Sequence, residues 1–449
     1  MASIFPLDVS ECSKRSKRIR KKINIEDEEA APPSETPASK FISIVSDDLL
    51  IQILLRLPHA RDAIRCTTVC KRWYPLIDHH FGRSFLEYHD SGSSSNFLPY
   101  TLLFINSASN RILDSFSHPA YQILSKKSKI LHGIGKSTSS SSTNNYLNFL
   151  WRDLNQAAKI KASVNDLLLV STPDDKYYIC NPLTKQRLAL PQVPSTLLAG
   201  RWGLLYTSCE KQVLDIRFKV VRISNLYKSS ANNNHDFFVH IFCSETGKWS
   251  GLIKLLLPCA LPDLELSWSV QSVATNGTLH WLLGEKMSDP IKGILAINPF
   301  KFNFGVGGTS TTITNPQWCR FLFRVQKNDF HELRIWELTD SNGNNDASKI
   351  GSWILVHEIL RLKRTEENRN MSLLSFHPNN GDVIFVLCGN NNIICKDKIG
   401  EDNYETVGEF PDGQEYLNFK YKWFCEILGV FPLVYPSWPT PIPTLPPVN

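Results

Sequence analysis

The chain has 449 residues, 42% hydrophobic and 20% charged, a soluble globular composition long enough for two or three units. Its net charge of +6 leans towards acidic partners but falls short of the field of a dedicated nucleic-acid binder. No apolar run reaches the roughly 18 residues of a membrane-spanning helix, so no membrane partner is expected.

Residues 1–40 read as a disordered charged tail, because blocks of opposite charge followed by APPSETP bury little apolar surface. Lys14, Arg15, Lys17, Arg18, Arg20, Lys21 and Lys22 make a basic tract that fits a nuclear-import signal or a solvated, solubilising tail. The N-terminus lacks the apolar core of a signal peptide. The eleven scattered cysteines, with no C-x-x-C pair, are therefore expected to stay reduced in the nucleus and/or cytoplasm.

Order is expected from Phe41. SDDLLIQILLRLP (46–58) reads as a helix, with Ser46 as N-cap and Asp47 and Asp48 at the positive end of the dipole. Leu49, Leu50, Ile53, Leu54 and Leu57 recur at the spacing of one apolar face, and Pro58 stops the run. A second run over 61–79 carries Ile64, Cys66, Val69, Cys70, Trp73, Leu76 and Ile77, and is expected to kink or divide at Pro75. So short a bundle presents more apolar surface than it can bury, which implies an outside partner.

After SGSSSN (91–96) the pattern becomes one of short strands. TLLFI (101–105), DLLLV (166–170), KYYIC (176–180), RFKVVRI (217–223) and FFVHIF (237–242) begin the series. TLHWLL (278–283), GILAI (293–297), LRIWEL (333–338), SWILVHEI (352–359) and DVIFVLC (382–388) continue it. A short helix is expected around LNFLWRDL (147–154). A strand, a polar turn and an aromatic or aliphatic anchor recur in CNPLTKQRLALP (180–191), CSETGKWSGL (243–252), INPFKFNFG (297–305), ELTDSNGNNDASKIGSWILVHEI (337–359) and CKDKIGEDNYETVGEF (395–410). These turns lie roughly 40–65 residues apart, near the period of propeller blades. About six or seven degenerate blades would then fill 97–435. FPLVYPSWPTPIPTLPPVN closes the chain, and 436–449 reads as an extended, disordered Pro-rich tail.

Catalytic and metal readings fail on spacing. Cys66 and Cys70 with His79 and His80 would need the chain to fold back sharply, since His79 lies about 13 Å beyond Cys70 along a helix. Lys71 and Arg72 point away from Cys70 on a helix, so they do not activate its thiol. GIGKST (133–138) has Ile130 where a phosphate loop needs glycine, and HELRI (331–335) has Ile335 where a zinc protease needs histidine. GVGGTS (305–310) lacks dinucleotide-loop spacing. No catalytic residue, metal or cofactor is assigned.

VSDDLLIQILLRLP…VCKRWYPLI (45–77) resembles the F-box, on Asp48, Leu49, Leu50, Ile53, Leu54, Leu57, Pro58, Val69, Cys70, Lys71, Trp73, Leu76 and Ile77. Val45-Ser46 stands where that family usually has Leu-Pro. YYICNPLTKQRLALP and NGTLHWL are similar to the F-box-associated, kelch-like β domains that often follow it.

The resemblance implies a multidomain α + all-β chain. A disordered tail (1–40) precedes an F-box helical bundle (41–88), then a kelch-like β-propeller (97–435) and the Pro-rich tail. It also implies a non-catalytic substrate receptor of a Skp–cullin–F-box ubiquitin ligase. Leu49, Leu50, Ile53, Leu54, Leu57, Pro58, Val69, Cys70, Trp73, Leu76 and Ile77 would then meet the Skp adaptor, and through it the cullin–RING ligase. The β domain would hold an unknown protein substrate. The alternative is a nuclear regulator that touches nucleic acid through 14–22, a tract without interleaved aromatics.

Overall fold

The computed structural model describes residues 44–67, 69–77, 79–90, 98–106, 121–126, 128–129, 147, 149–150, 158–194, 200–209, 212–226, 236–255, 265–266, 272–275, 277–284, 291–300, 319–327, 330–339, 352–359, 371–388, 393–399, 401, 404–409, 428–436 and 438–446. The chain divides into two compact units, Met1–Asn96 and Phe97–Asn449. The 1–40 tail with its basic tract, SGSSSN, GIGKST and GVGGTS lie outside the described residues.

The first unit carries helices α1 (Asp47–Leu55), α2 (Ala60–Cys66), α3 (Trp73–Leu76) and α4 (His79–Asp90). Ser46, in extended backbone, caps α1, its Oγ accepting from Leu49 N at 3.4 Å with Asp47 and Asp48 in the first turn. The break in the second run comes earlier than Pro75. Thr67 donates its Oγ1 proton to Ile64 O at 2.6 Å, and two turns then carry the chain to Trp73. Pro75 sits in the first turn of α3, where a missing N–H removes no helical bond.

α4 is a helix the sequence pattern does not predict. Phe81, Phe85 and His89 recur every fourth residue, with ring centroids 6.1 Å and 4.2 Å apart. His89 Nε2 lies 3.0 Å from Leu55 O, which ties α4 to the end of α1. Among the described residues no helix is long and apolar enough to cross a membrane.

The second unit is antiparallel sheet, built nearly in chain order. β1 (Tyr100–Asn106) pairs with β2 (Tyr121–Leu124). β3 (Lys159–Val164), β4 (Leu167–Ser171), β5 (Tyr177–Asn181) and β6 (Gln186–Ala189) form the next sheet. β7 (Gly200–Cys209), β8 (Gln212–Leu226), β9 (Asp236–Cys243) and β10 (Lys248–Trp249) follow, with β11 (Ile253–Leu255) also on β9.

In the fourth sheet, β12 (Glu265–Leu266) and β13 (Val273–Thr275) pair with β14 (Thr278–Gly284), which also pairs with β15 (Ile291–Ile297). β16 (Cys319–Lys327), β17 (Phe330–Thr339) and β18 (Ser352–Ile359) make the fifth. β19 (Met371–His377), β20 (Asn380–Cys388), β21 (Ile393–Lys398) and β22 (Tyr404–Glu409) make the sixth. β23 (Leu428–Val434) then returns to β1, with Tyr100 opposite Val434 and Asn106 opposite Leu428. No sheet closes on itself among the described residues.

Each strand run read from the sequence falls on one of these strands, and the recurrent turns have a shared chemistry. Asn181 Oδ1 accepts from Leu183 N at 2.9 Å, and Asn298 Oδ1 accepts from Phe300 N at 3.0 Å. Lys185 and Gly247 take positive φ at the equivalent hairpins, 57° and 66°. Neighbouring sheets share apolar cores. Leu103 and Phe431 pack with Ile160 and Leu168; Leu169 and Ile179 with Leu204 and Phe218; Val221 and Ile241 with Leu279 and Trp281. Tyr100 and Leu102 pack with Phe385 and Ile394 of the sixth sheet.

The end of the chain corrects the expectation of a disordered Pro-rich tail. Residues 438–446 are extended, as proline demands, but they are docked. Trp438 and Thr440 are buried, and Ile442 and Leu445 pack on the core that holds Trp202, Phe218 and Phe242. Thr440 N donates to Asp166 Oδ2 at 2.9 Å, while Asn181 Nδ2 lies 2.8 Å from both Asp166 Oδ2 and Thr440 O. Burial pushes the Asp166 carboxyl above the ordinary carboxylate range, against the lowering pull of those hydrogen bonds. At the far end, a Cβ on Gly247 would stand 3.3 Å from the Pro446 ring.

Candidate functional site

The apolar stripe of the first unit divides into two halves. Leu50, Leu54 and Ile77 are buried with Leu55, Ala63, Phe81 and Phe85. These three were expected to face a partner, and the structure places them inside the bundle instead. A helical period marks an apolar face, but not which part of it the chain's own helices cover. Leu49, Ile53 and Val69 remain 52%, 43% and 57% exposed, with Pro58, Cys70 and Tyr74 also at the surface. Leu57, Trp73 and Leu76 are half-buried.

Arg72 organises this surface. Its Nε and Nη2 lie 2.8 Å and 2.7 Å from Asp47 Oδ1, and Nη2 also donates to the Val45 carbonyl. The side chain that points away from Cys70 is thus bound to the start of α1. Val45 itself is buried. The Val45-Ser46 pair therefore supplies three local functions: an apolar plug, an acceptor for Arg72 and the helix cap. The indole Nε1 of Trp73 is buried without a hydrogen-bond partner. Burial, and then the nearby Asp62 carboxylate, push the Cys66 thiol above its ordinary pKa, which disfavours the nucleophilic thiolate. Among the described residues no cluster of His, Cys, Asp or Glu is placed to hold a metal ion.

This arrangement offers apolar side chains held in fixed positions by buried neighbours, which suits protein docking. Residues 47–84 match the family described as F-box-like. The β unit matches, over residues 121–303, the family described as F-box protein At3g26010-like, beta-propeller. A relative, the putative F-box protein At5g52610 of Arabidopsis thaliana, is 24% identical over 332 residues. That alignment covers 70% of this chain and 79% of the relative.

Among solved structures, YCF48 bound to D1 peptide aligns with a TM-score of 0.28 and 9% identity, over 57% of this chain and 70% of that one. The β-propeller domain of Cps50 (Swd1) from Myceliophteria thermophila aligns with a TM-score of 0.27 and 12% identity, over 56% and 86%. Likeness at that level does not bear on function. The F-box-like match includes Leu49, Ile53 and Val69, the side chains that the bundle leaves exposed.

Proposed function

We propose that the chain is a non-catalytic substrate receptor of a Skp–cullin–F-box ubiquitin ligase. The F-box-like domain docks on the Skp adaptor through Leu49, Ile53 and Val69, with Trp73 and Leu76 beside them. The β unit is a propeller that presents a protein target for ubiquitin transfer by other subunits. The observation that carries this reading is the coincidence of the 47–84 family match with apolar side chains the bundle does not bury. The basic tract 14–22 would bring the complex into the nucleus.

Co-purification with the Skp adaptor tests the assignment. Wild type should bring the adaptor down as a stoichiometric complex. Absence of the adaptor from a folded preparation sinks the reading.

A further inference from the structure

Residues 438–446 cross from the second sheet to the third as a strap with one polar anchor. Its root is fixed where β23 ends: Val434 N donates to Asn165 O and Tyr435 N donates to Pro99 O, each at 2.9 Å. Pro439, Pro441, Pro443 and Pro446 have no N–H to give. Among the described residues, the backbone of 439–446 makes hydrogen bonds only at Thr440. Its N–H donates to Asp166 Oδ2 and its carbonyl accepts from Asn181 Nδ2. Beyond that node the grip is apolar, with Ile442 and Leu445 half-buried against the core of Trp202, Phe218 and Phe242.

The anchor is a carboxyl sealed from water. Asp166 is fully buried in the turn between β3 and β4. Thr440 N and Asn181 Nδ2 both converge on Oδ2, while Oδ1 is buried without a hydrogen-bond partner. No lysine, arginine or histidine pairs with the carboxyl among the described residues. The Thr440 hydroxyl lies beside it, and so does Tyr206 of β7, whose hydroxyl accepts from Asn165 Nδ2. Tyr206 is the titratable group of that set. Burial, and then the Asp166 charge, push its phenol above the ordinary value, so it stays neutral where a carboxyl titrates. A carboxylate in this place lacks the countercharge that burial demands, which favours the neutral acid.

A lifted strap lets water reach Asp166, which then regains the ordinary acidity of a carboxyl; a closed strap holds it neutral. We propose that 438–446 is a proton-linked strap: closing it takes up one proton at Asp166, and losing that proton favours release. Release carries Ile442 and Leu445 off the Trp202, Phe218 and Phe242 core and leaves an aromatic face open across the second and third sheets. A carboxyl that is less acidic in the closed form holds the strap most firmly at low pH. The hold weakens as pH rises through the closed-form value. Within the receptor reading, the open face belongs to the unit that holds the target; the strap itself does not depend on that reading.

The test is amide hydrogen exchange of the full chain from about pH 5 to about pH 9, above the ordinary carboxylate range and below that of tyrosine. Corrected for its intrinsic rate, the Thr440 amide should lose protection by up to about tenfold per pH unit until Asp166 ionises in the closed form. It should also be at least about tenfold less protected than the amide of Val220, buried in β8. That gap is the mark of a strap that opens while the sheets stay folded. Asp166→Asn keeps an acceptor for Thr440 N and removes the proton, so its Thr440 protection should not vary with pH.

Asp166→Ala removes the acceptor and should lower Thr440 protection about tenfold or more at every pH. Wild-type protection that ignores pH, an Asp166→Asn profile with the wild-type slope, or equal protection at Thr440 and Val220 would each overturn the proposal. Asp166→Asn leaves 47–84 untouched and should still co-purify with the Skp adaptor, so failure of the strap and failure of the receptor reading remain separate results.

Discussion

Arg72 closes its guanidinium on Asp47 across 25 residues of sequence, with two nitrogens on one carboxylate oxygen. The pair is partly exposed, so the ion pair alone contributes on the order of 0.5–1 kcal/mol. Its effect is mostly positional, because the same guanidinium also binds the Val45 carbonyl just before α1. Arg72→Lys keeps the charge but not the fork, so it should loosen the start of α1. Amide hydrogen exchange at Leu49 and Leu50 should quicken, and adaptor affinity should fall by about threefold to tenfold. Unchanged exchange would mean that the clasp holds nothing.

The divided apolar stripe gives a sharper contrast. Leu49→Asp with Ile53→Asp should abolish adaptor binding while leaving the unfolding midpoint of the first unit nearly unchanged, as surface substitutions do. Leu50→Ala with Leu54→Ala should instead destabilise the bundle by about 4 kcal/mol or more, and lose binding only because the domain unfolds. Circular dichroism melts beside adaptor pull-downs separate the two cases. Folded Leu49→Asp/Ile53→Asp protein that still binds would move the docking face elsewhere.

How far the sequence speaks differs between these units. Ser46, Asp47 and Asp48 announce the start of α1 because caps are local chemistry. The strand runs and their Asn- or Gly-bearing turns are legible for the same reason. The division between Leu49 and Leu50 is not, because it depends on where α4 packs, and Phe81 and Phe85 on α4 do not show in the sequence which side of α1 they cover. The docking of 438–446 is equally hidden. Prolines announce extended backbone, but nothing near Thr440 names Asp166, which lies 274 residues earlier.

Asp166 offers a pH-dependent prediction. A carboxyl whose folded pKa is raised contributes stability below its unfolded pKa, and loses it as pH rises through the folded value. Asp166→Asn keeps an oxygen to accept from Asn181 and Thr440 and removes the titration. Its stability relative to wild type, followed by urea unfolding, should therefore improve as pH rises from the ordinary carboxylate range, about pH 4, through the raised folded value. Asp166→Ala removes the acceptor and should cost about 2–4 kcal/mol across that range. A constant Asn–wild type difference at all pH values would show that Asp166 does not titrate in the fold.

Lys161 works in the opposite pH region. Its folded pKa of about 8 lies below the ordinary 10.5, so the unfolded chain holds the proton more tightly. Wild-type stability should climb as pH rises from about 8 to about 10. Lys161→Met should remove that climb and gain on the order of 3 kcal/mol at most near neutrality. Urea titrations over this interval measure both; a climb that survives in Lys161→Met would assign the slope to other groups.

The pairing of β1 with β23 also has a consequence during synthesis. While the ribosome works through the β unit, the edge of β1 that belongs to β23 stays bare, because its partner is almost the last strand translated. An unpaired edge is a template for the wrong chain. The nascent protein is thus obliged to wait, exposed, until residues 428–434 emerge. Transcripts truncated shortly before codon 428 should yield chains that engage chaperones rather than chains that merely lack a strand.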